Sequence, residues 1–90
     1  MQNRIVKQKY HTEHYQREKL EQSIHRVCLS VRELTGSAEL TASHVCNHVE
    51  EWLQDKVEIT SQDLRLAAGR YLELYNPAAA LVYAGHMDVN

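Results

Sequence analysis

The stretch REKLEQSIHRVCLSVREL, Arg17 to Leu34, decides how this chain is read. Its apolar residues Leu20, Ile24, Val27, Val31 and Leu34 recur at alternating intervals of four and three, which sets a single stripe along one face of an α-helix. Glu18, Glu21, Gln22, Arg26 and Arg32 fall off that stripe. Thr35-Gly36-Ser37 is expected to end the helix, Gly36 being able to take the left-handed terminal conformation. An amphipathic helix of this length needs partners to cover its stripe, and the flanking sequence supplies them.

Downstream, a second helix is expected to start near Thr41 or Ser43, with Val45, Val49, Trp52 and Leu53 inward and fraying by Asp55-Lys56. Val57-Glu58-Ile59 is brief, alternating and β-branched at both ends, which predicts a strand. Ser61 is expected to cap a third helix that turns Leu64, Ala67 or Ala68, Tyr71 and Tyr75 inward. Asn76-Pro77 breaks the chain and opens a fourth helix, where the missing N–H of Pro77 costs nothing. Ala80, Leu81 and Ala84 are expected to form its inner face. Upstream, Arg4 to Lys9 reads as a strand, Tyr10-His11-Thr12 as a turn and Glu13 to Tyr15 as the returning strand. A two-stranded ribbon is marginal alone and must pack on something. The predicted order is therefore β-β-α-α-β-α-α. Its class is α+β, a four-helix bundle capped by a small three-stranded β-sheet, in one domain spanning residues 1–90.

Ninety residues with 43% apolar and 24% charged side chains are ordinary for a folded globular domain. No apolar run approaches the roughly 20 residues of a membrane span, and MQNRIVKQKY lacks the apolar centre of a secretory signal. A cytoplasmic location without a membrane partner is the expectation, and Cys28 and Cys46 are expected to stay reduced. The net charge of −2 is unevenly spread. Residues 1–19 hold Arg4, Lys7, Lys9, Arg17 and Lys19 against Glu13 and Glu18, while acids outnumber bases two to one in the remainder. A basic end on an acidic domain points to a local anion site. It does not fit a duplex-binding protein, so nucleic acid is not an expected partner.

Residues Val6 to Leu20 read VKQKYHTEHYQREKL. This stretch resembles the opening of the ATP-cone family, close to V-K-R-D-G-x-x-E-x-F-D-x-x-K-L, without a gap. Val6, Lys7, Glu13, Lys19 and Leu20 match, and Tyr15 stands for the aromatic. Ser23-Ile24, Ile59-Thr60-Ser61 with Leu64, and Ala80-Leu81-Val82-Tyr83 resemble later family motifs in the same order. The resemblance implies a regulatory module that binds ATP or dATP, with or without Mg, attached to ribonucleotide reductase or to the repressor of its genes. Position by position it assigns Lys7 and Lys19 to the phosphates and Glu13 and Gln16 to the base or ribose. It adds Ser61 and Arg65 at the third helix, where free N–H groups favour an anion. Val6, Gln8 and Lys9 complete the implied pocket. Gln8, Lys9 and Tyr10 stand where the family has Arg, Asp and Gly. Lys9 shares a strand face with Lys7 and supplies a point charge in place of the bidentate guanidinium.

Other constellations lead elsewhere. A cone that has lost its nucleotide would serve as an interaction or dimerisation module, through the helix Pro77 to Ala84 and an exposed Tyr83. His25 with Cys28, and His44 with His48, have the spacing of helical metal-ligand pairs. Interleaved Cys46 and the lack of CxxC favour surface histidines and buried thiols instead. No nucleophile elbow, Walker loop or paired carboxylate is present, so an enzyme is not expected.

Overall fold

The computed structural model describes residues 5–7 and 12–89. The elements are β1 (Ile5–Lys7), β2 (Thr12–His14), α1 (Arg17–Ser30), α2 (Thr35–Leu53), β3 (Glu58–Thr60), α3 (Ser61–Tyr75) and α4 (Pro77–Val89). Each helix packs against two others: α1 on α2 and α4, and α3 on α2 and α4. The core between them holds Ile24, Val45, Val49, Leu53 and Leu72, all fully buried, with Cys28 and Cys46 among them as free thiols.

The expected α+β class is corrected to a helical fold. Helices of 14, 19, 15 and 13 residues face extended segments of only three residues each. Those segments pair in the order β2-β1-β3, antiparallel and then parallel. β1 and β3 are each seen to give the core one side chain, so these segments do not amount to a sheet layer capping a bundle. Val6 and Ile59, paired in register, are the inward residues of β1 and β3.

Helix boundaries differ from the sequence expectation for identifiable reasons. α1 ends at Ser30, short of Leu34, in a Schellman arrangement. The Arg32 N–H donates to the Leu29 carbonyl at 3.0 Å and the Glu33 N–H to the Cys28 carbonyl at 3.0 Å. Arg32, with φ of 70°, is the left-handed residue, and Gly36 lies inside α2. Leu34 is accordingly 79% exposed as the extended residue before α2. α2 begins at Thr35, well before Thr41, because a stripe of small residues (Ala38, Thr41, Ala42) continues the face of Val45, Cys46, Val49 and Leu53. Burial of that face overrides the weak helix propensity of TGS.

The α3 cap is Thr60 rather than Ser61. Its hydroxyl accepts from the Asp63 N–H at 2.9 Å, while the Asp63 carboxylate accepts from the Thr60 N–H at 3.3 Å. At α4 the Asn76 side chain accepts from the Ala79 N–H at 3.0 Å, with Pro77 as first helical residue. The α4 face is displaced from the expected one: Ala79 and Tyr83 are buried, whereas Leu81 is 77% exposed. No helix among the described residues is long and apolar enough to cross a membrane.

Candidate functional site

The β2–α1 junction, the first turns of α1, the start of α3 and one residue of α4 enclose a cleft of about 230 Å³. On α1 the sequence Gln16, Lys19, Leu20, Ser23 has the spacing of a single helix face, and all four line the cleft. On α3 Ser61, Leu64 and Arg65 do the same from the opposite side. Val6 on β1 and Tyr83 on α4 add to the apolar wall, and His14 stands at the end of β2. The register of the paired segments explains how these elements meet. Lys7 lies opposite Thr60, so the end of β1 runs beside the N-terminus of α3.

Apolar side chains form the interior of the cleft, and Gln16, Lys19 and Arg65 are exposed at its rim. No acidic residue is found among the described residues lining it. Two helix N-termini open nearby, and Gln16, the α1 N-cap residue, makes no side-chain capping bond. Two cationic side chains, a Ser hydroxyl and the N-terminus of α3 are the kinds of group that favour an anion. Tyr83 sits at the back, packed with its ring 3.7 Å from where a Gly69 Cβ would lie. Burial raises its phenol pKa against the opposing influence of Arg65 and a hydrogen bond with Ser23.

Of the nine residues singled out from the sequence, Val6, Gln16, Lys19, Ser61 and Arg65 come together here. Lys7 and Glu13 are backbone positions of β1 and β2, and Gln8 and Lys9 lie outside the described residues, as do Arg4, Tyr10 and His11. Sequence reasoning did not assign His14, Tyr15, Leu20, Ser23, Leu64 or Tyr83 to the site. Helical spacing from Gln16 to Leu20, from Lys19 to Ser23 and from Ser61 to Leu64 was the signal that would have found three of them.

Behind the cleft, the junction is fastened to α2. The Tyr15 hydroxyl donates to Glu50 Oε2 at 3.0 Å, and Arg17 Nη1 donates to Glu50 Oε1 at 2.9 Å. Arg17 also donates through Nε to Glu21 at 3.0 Å and through Nη2 to the Ser43 carbonyl at 3.2 Å. Burial, then the neighbouring Cys46 and Glu50, push the Tyr15 phenol well above its ordinary range, so it stays a donor.

The other sequence candidates do not assemble. His44 stacks on Tyr75 at 5.4 Å and His48 on Tyr71 at 5.1 Å, with His48 Nε2 2.9 Å from the Tyr75 hydroxyl. Cys28 is fully buried elsewhere in the core. Among the described residues no three His, Cys, Asp or Glu are placed to hold a metal ion. Burial pushes both thiols up to about 12, which keeps them from acting as thiolates. Comparison with protein-family models, with curated proteins and with solved structures finds no match to this chain.

Proposed function

We propose that this protein is a cytoplasmic, non-enzymatic regulatory module that binds ATP or dATP in the cleft between α1 and α3. The reading rests on one observation: Val6, Gln16, Lys19, Ser61 and Arg65, nominated from separate parts of the sequence, line one cleft. Lys19 and Arg65 take the phosphates from opposite sides, with Ser61 and the α3 N-terminus between them. The apolar interior formed by Val6, Leu20 and Leu64 takes the uncharged part of the nucleotide. The ATP-cone resemblance supports this assignment and makes ribonucleotide reductase, or the control of its genes, the regulated system. Calorimetric titration with ATP, dATP, ADP and GTP tests it. Saturable binding of ATP or dATP is expected, and the absence of heat with either would refute it.

A second reading, an interaction or dimerisation module without nucleotide, draws on a groove of about 270 Å³ between α3 and α4. Leu66 and Leu81 line it and are 45% and 77% exposed. Tyr83, expected on that outer surface, is instead buried at its base. Sedimentation showing a monomer with and without nucleotide would count against self-association.

A further inference from the structure

Tyr15 and Arg17 flank Gln16, and both reach across to one carboxylate on α2. Glu50 accepts from Tyr15 through Oε2 at 3.0 Å and from Arg17 through Oε1 at 2.9 Å, so each oxygen holds one side of the junction. The residue between them is the α1 N-cap and a rim residue of the cleft. Tyr15 itself is a buried wall of the same cleft. Lys19, the rim cation on α1, follows within the first turn. Glu50 does not line the cleft, and Arg17 does not either.

We infer that Glu50 is a positioning residue for the anion cleft, holding Gln16 and the α1 N-terminus at ligand-binding geometry through Tyr15 and Arg17. This rests on the nucleotide reading of the cleft. The physical argument is preorganisation. A rim set on a short extended segment and a helix end has several arrangements, and a ligand that must select one of them binds more weakly by the fraction populated. Two hydrogen bonds to a single part-buried carboxylate, both charge-assisted and one of them also an ion pair, remove that freedom before the ligand arrives. Glu50 thus acts on affinity without touching the ligand, and Tyr15 and Arg17 work as a pair with it.

The test is ATP titration by calorimetry on the full chain, well below the melting temperature, for the wild type, Tyr15→Phe, Glu50→Ala and the double variant. Circular dichroism checks that each is folded. Tyr15→Phe removes only a hydroxyl, so it remains informative if Glu50→Ala is too unstable. Tyr15→Phe is expected to weaken ATP binding about tenfold, the size of one charge-assisted hydrogen bond, and Glu50→Ala at least as much, because it releases Arg17 as well. The double variant should lose no more than Glu50→Ala alone, because the two groups act through one bond. Wild-type affinity in the folded single variants, or losses that simply multiply, would overturn the role of Glu50 while leaving the nucleotide site standing. A wild type that binds neither ATP nor dATP would overturn both.

Discussion

Asn76 Nδ2 donates to Glu33 Oε1 at 2.6 Å, joining the α1–α2 turn to the α3–α4 turn across 43 residues of sequence. Glu33 Oε2 accepts in addition from Ser37 at 2.6 Å and Thr41 at 2.7 Å, both on the first turns of α2. One carboxylate therefore satisfies donors from two parts of the fold and places a negative charge at the N-terminus of α2.

Acid should undo this link. Partial burial raises the Glu33 pKa, but hydrogen bonds from Ser37, Thr41, Asn76 and Cys28 outweigh it and hold the carboxyl at about 2, against an ordinary 4.5. A depressed folded-state pKa means a stabilising contribution that is complete above about 4.5 and fades as pH falls toward 2. The melting temperature of the wild type should therefore drop over that interval more steeply than that of Glu33→Gln. At pH 7 the substitution should destabilise by roughly 1–3 kcal/mol, seen in urea unfolding. Equal acid sensitivity of the two proteins would remove Glu33 from this role.

Arg32 carries the left-handed conformation that ends α1, at φ of 70°. An L-residue with a Cβ pays about 1–2 kcal/mol there, and glycine returns part of that as added freedom in the unfolded chain. Arg32→Gly should raise stability by about 0.5–1 kcal/mol, measured as a higher melting temperature. A lower melting temperature would show that the Arg32 side chain contributes more than its backbone strain costs.

Cys28 and Cys46 are buried thiols, raised to about 12 mainly by desolvation. Both should be nearly silent to a thiol reagent at pH 8 in native buffer and react fully in denaturant. Rapid labelling of either residue in the folded protein would contradict their placement.

Regular spacing made part of the fold legible in the sequence. Leu20, Ile24 and Val27 on α1, and Val45, Val49 and Leu53 on α2, were readable as buried because each sits in a clear stripe. Ala38 and Ala42 were not, since small residues beside Gly36 and Ser37 look like a linker until burial is known. Leu72, fully buried, was missed beside Tyr71 and Tyr75, which are larger but only partly covered or exposed. α4 misled for a different reason: PAAALVYA is apolar on every side, so its spacing cannot tell Tyr83, inside, from Leu81, outside. Within the cleft, the cations were legible from charge, but the side chains behind them depend on how α1, α3 and α4 meet. The bond from Tyr15 to Glu50 had no sequence signal, because it spans 35 residues.

The nucleotide assignment is tested most directly by thermal unfolding of the wild type and of Lys19→Ala combined with Arg65→Ala, each with and without saturating ATP. A ligand that binds only the folded state at a hundredfold excess over its Kd stabilises by ~2.7 kcal/mol. In a domain of this size that corresponds to a rise of roughly 10–20 °C in the melting temperature. The wild type should show this rise, and the double variant should lose most of it while unfolding normally without nucleotide. No rise with ATP or dATP, or a rise that survives removal of both cations, would contradict the site.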